Sequence, residues 1–273
     1  MPVESVDSGA LAAPSFAASP ESAAPEPAAP ELAASEVDMA QVWAAAITQD
    51  RSPSLATLGE TATSGGRVAL TFDDGPDPNV TPQVLDTLQA YDVKATFYVV
   101  GRYVKLHPEI VRRIVEEGHS LGNHSYNHTS MSTLNAAQMN REFQATQNAV
   151  DKALGYKYPM FTMRPPYGDP YYDGSGNLPI FQEVMRERGL FPVLWTPSPH
   201  DYLYDGQPGK IIQRISELRA NKQGPDQSDE VLLLHDSKQQ SADALPGVIE
   251  LYQSEGLKFT SVQQLLADKY LNE

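Results

Sequence analysis

Cysteine is absent from the 273 residues. That excludes disulfides and thiol catalysis, and says little about compartment. No run of about 18 apolar residues occurs either, so no membrane-spanning helix is expected. Positive charge is scarce. The chain carries 20 Lys and Arg against 35 Asp and Glu, a formal net charge of −15. An acidic surface argues against a nucleic-acid partner, because phosphate contacts need Lys and Arg. It fits a neutral or basic substrate, or solubility alone. The N-terminus also lacks the charged-then-apolar pattern of a signal peptide.

Aromatic residues are nearly missing from residues 1–60, which are rich in Ala, Pro, Ser and Glu. Such a composition cannot bury enough apolar surface to offset chain entropy, so a disordered acidic tail is expected there. Pro20, Pro25, Pro27 and Pro30 follow no fixed interval, which reads as a linker rather than a repeat array. Residues 38–48 admit two readings: a short helix around Val42-Trp43, or more linker. A linker of this kind is common just after a cleaved signal or anchor, so a secreted, periplasmic or cell-surface protein is expected. The remaining residues, 65–273, read as one catalytic domain.

From Arg67 onward strands and helices alternate. Strands are expected at 67–72, 95–100, 158–164, 191–195, 230–234 and 257–260. Helices are expected at 81–91, 108–117, 135–154, 180–188, 208–220, 245–255 and 261–270. Thr81-Pro82 is a helix start and Gly155 a helix stop. Repeated βα units imply parallel strands with right-handed crossovers, and about seven of them fit a barrel or a wide open sheet.

The polar motifs cluster at the C-terminal ends of these strands, where barrel active sites assemble. Asp73-Asp74 ends an apolar run and is stopped by Gly75-Pro76. Neighbouring side chains of a strand point opposite ways, so one carboxylate can bind metal while the other accepts a proton. The same residues also suit a plain turn. His124 and His128 are four apart and would share one side of a helical turn; a surface or core pair is the bland alternative. An Asp and two His make a complete protein ligand set for a zinc-like catalytic ion. His119 suits a supporting role. In Arg164-Pro165-Pro166-Tyr167-Gly168 the first free backbone donor is Tyr167 N–H, behind two rigid residues, which suits an oxyanion donor. Arg164 can pair with a carboxylate, or the motif is only a stiff loop. His235 ends the run Val231 to Leu234 and can be a general acid, with Asp201 as its orienting partner. Trp195 can line the site or merely fill core. Tyr171, Tyr172 and Tyr204 can offer aromatic faces to a ligand or pack in loops.

Taken together, Thr71 to Pro76, His124 with His128, Arg164 to Gly168, Trp195 with Asp201, and Leu233-Leu234-His235 resemble the NodB-homology polysaccharide deacetylases, carbohydrate esterase family four. The resemblance spans about residues 65–270, with five motifs in order. It implies a distorted (β/α)7 barrel, with the disordered tail preceding it. It implies Asp73 as general base, Arg164 as the residue that steadies it, and Asp74, His124 and His128 as ligands of one divalent ion. Zinc is the first expectation, with cobalt, nickel or manganese compatible. Tyr167 would supply the oxyanion donor, His235 the acid and Asp201 the carboxylate that tunes it. Trp195 and Leu233 would wall the acetyl pocket, with Tyr202 beside them. Two departures bear on pocket shape: Thr196 and Ser198 stand where the family often has acidic residues, and Tyr202 where it often has Trp.

The expected reaction is hydrolysis of N-acetyl groups on N-acetylglucosamine units of an acetylated polysaccharide or oligosaccharide, chitin or peptidoglycan, by a monomer. Three rivals remain. An O-deacetylase such as an acetylxylan esterase would use the same machinery. Gly118-His119-Ser120-Leu121-Gly122 matches the G-x-S-x-G of serine hydrolases, with Ser120, Asp201 and His235 in chain order. The third is a carbohydrate-binding domain with a vestigial site.

Overall fold

The computed structural model describes residues 38–48, 66–221 and 229–271. The expected disordered tail therefore falls largely outside the described residues. Within its bounds, Met39–Thr48 is a helix, α1. Its apolar residues Met39, Val42 and Ala46 are buried. The segment was free to read as linker because its apolar face has no partner in sequence; the partner is the C-terminal helix.

Six strands form a curled parallel sheet: β1 (Arg67–Asp73), β2 (Ala95–Val99), β3 (Ser120–Asn123), β4 (Thr162–Met163), β5 (Phe191–Pro192) and β6 (Glu230–His235), in the order β5-β4-β3-β2-β1-β6. A seventh, β7 (Lys258–Phe259), pairs with the start of β1. β1 and β6 are buried along nearly their whole length, as their apolar sequences require when helices cover a parallel sheet. The barrel closes irregularly. Between β5 and β6 the chain reverses direction, and Thr196 forms an antiparallel bridge with Val231. The distorted seven-unit barrel expected above is thus the observed fold.

Around it lie α2 (Thr81–Ala90), α3 (Gly101–Leu106), α4 (Pro108–Glu116), α5 (Ala136–Leu154), α6 (Leu178–Arg188), α7 (Pro208–Ala220), α8 (Gln239–Ser254) and α9 (Val262–Leu271). In α5, Asn135 and Gln138 form a reciprocal capping box, and Gly155 ends the helix with φ 82°. Its buried Met139, Phe143, Thr146 and Val150 recur every three or four residues and face the sheet. No helix among the described residues is long and apolar enough to cross a membrane.

Several boundaries differ from expectation. The strand expected over 158–164 shrinks to Thr162–Met163, because Pro159 cannot donate to a ladder. That over 191–195 is reduced to Phe191–Pro192, although the Phe191 and Val193 N–H groups on either side of Pro192 both donate to the neighbouring strand, to the Phe161 and Met163 carbonyls, at 2.8 Å. α8 begins six residues earlier than expected and tolerates Pro246 inside it. One lost backbone bond there is offset by burial of Ala242, Ala244, Leu245, Val248, Ile249 and Tyr252. α3 and β3 are short and carry no strong periodicity, so pattern does not reveal them.

α1 packs against α9, and Trp43 meets Phe191 edge-on at 4.6 Å between ring centroids. Phe191 is the first residue of β5. α1 therefore covers the end of the sheet where the strands begin, opposite the end that carries the polar motifs.

Candidate active site

Asp73 is the last residue of β1 and pairs in register with His235, the last of β6. His124 follows β3 and Arg164 follows β4 directly. Parallel register alone thus brings four reactive side chains to one rim.

Asp73 is buried. Arg164 Nη1 donates to its Oδ1 at 2.8 Å and to Thr71 Oγ1 at 2.8 Å. The rest of the guanidinium is equally engaged, Nε to the Val193 carbonyl at 2.9 Å and Nη2 to the Leu194 carbonyl at 3.1 Å. Arg164 is wholly inaccessible to solvent and lies 4.2 Å from the Tyr98 ring centroid. An Arg with every face occupied has one orientation.

Asp74 turns away from Asp73 because its φ is 75°, in the left-handed region. His128 Nε2 lies 2.9 Å and His124 Nε2 3.4 Å from Asp74 Oδ1. One atom from each of these three residues lies within 4.8 Å of the others. Asp74 Oδ1 is nevertheless buried without a hydrogen bond of good geometry. Three electron-pair donors facing one point, none satisfied by another, fit a cation between them. The His124 tautomer agrees. His124 Nδ1 donates to the Arg164 carbonyl at 2.6 Å, which leaves Nε2 free as a lone pair. His128 Nδ1 meets the Tyr167 hydroxyl at 3.2 Å. Burial works to raise the Asp74 pKa, yet the His124 and His128 imidazoles outweigh it and hold the carboxyl well below its ordinary range. Burial opposes charge on His124, but Asp73 and Asp74 raise its pKa overall.

The spacing of four does not place His124 and His128 on a helical turn, as sequence suggests. They lie on a loop bent through the left-handed region at Ser125 (φ 61°) and His128 (φ 59°). What holds the loop is Glu142 of α5. Its carboxylate accepts the backbone N–H of Tyr126 at 2.9 Å and of Asn127 at 2.7 Å, and the Asn127 side chain at 2.7 Å. Sequence reasoning misses Glu142. The available signal is its place on α5 next to the buried Phe143.

On the opposite rim, His235 Nδ1 donates to Asp201 Oδ1 at 2.7 Å, and its backbone N–H donates to Oδ2 at 2.8 Å. Asp201 is fully buried. Ser241 Oγ donates to its Oδ2 and Gln240 Nε2 to its carbonyl at 3.1 Å. Burial would lower the His235 pKa; Asp201, with Asp73 and Asp74, pushes it up to about 9. Ser241 and Gln240 also go unread in sequence, because they fall before the expected start of α8.

Tyr167 adopts φ 64°, and its N–H finds no acceptor among the described residues. Its ring packs at 4.8 Å from that of His128. An open cleft of ≈ 580 Å³ is lined by Asp73, Asp74, His124, His128, Tyr167 and His235, with Trp195, Leu233 and Tyr202 completing its walls. Ser198 and His200 also reach it. Tyr202 stands over His235 at 5.6 Å. Of the three further tyrosines, Tyr172 contacts Trp195 at 5.7 Å. Tyr171 packs on Phe181, and Tyr204 packs against the main core.

Other candidates stay apart. His119 is buried, accepts the Ala95 N–H at 3.2 Å, and is depressed by burial to about 4. It belongs to the packing. Ser120 starts β3 whereas His235 ends β6, so the two lie at opposite ends of the sheet. Three residues of rise along β3 alone amount to roughly 10 Å. The serine-hydrolase arrangement is not formed.

Below the rim, Asp236 is buried and accepts the Thr81 hydroxyl at 2.7 Å. A Cβ at Gly75 would fall 2.1 Å from Asp236 Oδ2. Only glycine fits there. Burial, with Asp73 and Asp74 nearby, raises the Asp236 carboxyl to about 7.

Residues 60–177 match the polysaccharide deacetylase family profile. The chain is 33% identical over 228 residues to the peptidoglycan-N-acetylglucosamine deacetylase PgdA of Listeria monocytogenes, covering 83% of this chain and 45% of that protein. It thus spans about half the length of that relative. Among solved structures, the peptidoglycan deacetylase PdaC of Bacillus subtilis superposes with TM-score 0.63 at 31% identity, over 77% of this chain and 94% of that one. The family 4 carbohydrate esterase of Streptomyces lividans gives TM-score 0.61 at 30% identity, over 74% and 96%.

Proposed function

The chain belongs to the polysaccharide deacetylase family, and on that premise we propose that it hydrolyses N-acetyl groups of hexosamines in peptidoglycan, outside the cytoplasm, using one divalent ion held by Asp74, His124 and His128. The observation that carries the reading is the convergence of those three ligand atoms between two separate proton-handling pairs, Asp73–Arg164 and Asp201–His235. Zinc suits one carboxylate and two imidazoles. When bound, such an ion acts as a Lewis acid towards water and the acetamide carbonyl.

The chain's own residues do the rest. Asp73, held by Arg164 at the strand end, takes the proton of the attacking water. The Tyr167 N–H donates to the oxygen that gains charge, and is fixed beforehand by Pro165 and Pro166. Trp195 and Leu233 wall the space for the acetyl methyl. His235 protonates the departing amine as the C–N bond breaks, so that acetate and a free amino sugar leave. An amine is a poor leaving group without that proton, whereas an alcohol needs it less. Protonation by His235 therefore matters more for an amide than for an ester substrate.

The test is acetate release from peptidoglycan and from N-acetylglucosamine oligomers, before and after chelation and zinc return. Asp73→Asn should lose on the order of 10²–10⁴ in kcat per folded molecule, together with a lowered melting temperature because Arg164 is left as a buried unpaired charge. A fully active variant overturns the assignment.

A further inference from the structure

The two apolar walls of the cleft are held in different ways. Leu233 lies on β6, pairs in register with Thr71 of β1, and is buried. Trp195 lies three residues past the end of β5 and is only half-buried. Its backbone is anchored next door, where Thr196 and Val231 exchange hydrogen bonds at 2.9 and 3.1 Å. Its indole rests against two other side chains. The buried Arg164 guanidinium lies 5.6 Å from the Trp195 ring centroid, and the Tyr172 ring meets it edge-on at 5.7 Å.

Tyr172 is not itself part of the cleft lining. It stands behind Trp195, on the loop between Gly168 and α6, and is 59% exposed. That loop is pinned at both ends. Asp169 Oδ2 accepts the Ser130 hydroxyl at 2.6 Å, and Asn177 Nδ2 donates to the Met131 and Leu134 carbonyls at 2.9 and 2.8 Å. Inside the loop, Tyr171 packs on Phe181, while Tyr172 goes to Trp195. The space beneath is full. A Cβ at Gly168 would fall 2.4 Å from Tyr172 Cδ2 and 3.0 Å from Trp195 Cη2. Gly168, Tyr172 and Trp195 thus pack together without slack, directly after the Tyr167 N–H.

We propose that Tyr172 is a specificity-determining residue for the size of the acyl group: it keeps the Trp195 indole from moving outward, so that the space between Trp195 and Leu233 admits an acetyl methyl and refuses a longer chain. The inference rests on the deacetylase reading and specifies which N-acyl groups that reaction accepts. Leu233 cannot retreat, because β1 and β6 fix it. Trp195 is the wall that can, and Tyr172 occupies the room it would move into. With that ring removed, the indole swings away from Leu233 and one further methylene fits. A single methylene in an apolar pocket changes kcat/KM by about tenfold or more.

The experiment compares wild type, Tyr172→Phe and Tyr172→Ala, with thermal melts as folding controls. The substrates are glucosamine tetramers carrying N-acetyl, N-propanoyl or N-butanoyl groups. Release of the carboxylic acid is read as kcat/KM, and equilibrium binding of the same tetramers to the metal-free protein is read in parallel. In Tyr172→Ala the preference for acetyl over propanoyl should fall about tenfold in both readouts. Tyr172→Phe keeps the ring and should keep the wild-type preference. A preference that does not move in Tyr172→Ala overturns the proposal. An equal loss on all three substrates also overturns it, since Tyr172 would then act on the sugar and not through Trp195. The chain has two Trp residues, so in a Trp43→Phe background the fluorescence reports Trp195 alone. Tyr172→Ala should open that emission to acrylamide quenching, and unchanged quenching counts against the contact. Absence of acid from every tetramer would count against the deacetylase reading, while the binding preference would still decide this one.

Discussion

Arg164 and Asp201 are fully buried and act on residues at the very ends of strands, while His128, across the same cleft, stands on a loop bent twice through the left-handed region. The first arrangement secures Asp73 and His235 by β-register and buried ion pairs. The second secures His128 by one carboxylate, Glu142, that gathers two backbone N–H groups and a side-chain amide. The difference teaches that the residues proposed to handle protons are tied to the stability of the barrel, and the loop proposed to face the ion is tied to a local clamp. Damage to the two should look different.

The largest effect is expected at Arg164. Arg164→Met leaves Asp73 as an unpaired buried carboxylate, and removing one partner of such a pair costs about 3–5 kcal/mol. A denaturant melt should show that loss together with loss of turnover. If the variant melts like wild type, the barrel does not depend on this pair and the contrast disappears. Glu142→Ala should do the reverse. Melting should change little, whereas zinc affinity measured by titration calorimetry should weaken roughly 10–100-fold, the usual consequence of losing support behind a metal ligand. Glu142→Gln, which keeps an acceptor oxygen, should recover part of it.

The smallest effect sharpens the comparison by pH. In the metal-free protein, His235 should titrate near 9 by NMR. Its folded pKa lies above the unfolded value, so the stability it brings is complete below about 6.5 and is lost as pH rises through 9. Asp201→Asn removes the carboxylate and should move the titration down towards the ordinary imidazole value, with the loss of stability moving with it. An unshifted His235 in that variant would mean that Asp201 is not what raises it.

The strand-end half of the site is legible in sequence because apolar runs mark their own ends. Asp73 closes Val68 to Phe72, and His235 closes Val231 to Leu234. Arg164 is legible for its Pro-Pro neighbours. The loop half is legible only as composition. A spacing of four between His124 and His128 is shared by helical turns and by loops, and nothing local selects between them. Glu142 acts from a different element, so its role exists only after α5 has docked. Of the fold, α2, α5 and α7 announce themselves through caps and periodicity. β4 is cut short after Pro159, and α1 has no visible reason to be ordered until α9 is folded beneath it.

That docking has a mechanical consequence. Because Val42 and Trp43 are seated at the end of the sheet away from the cleft, tension applied through the polypeptide upstream of α1 would be borne by α9 and Phe191. Through the same apolar cluster, which holds Ala69 of β1 and Val231 of β6, part of it would reach the strands that carry Asp73 and His235. A protein leashed from that side would turn its working face outward, towards whatever polymer surrounds it.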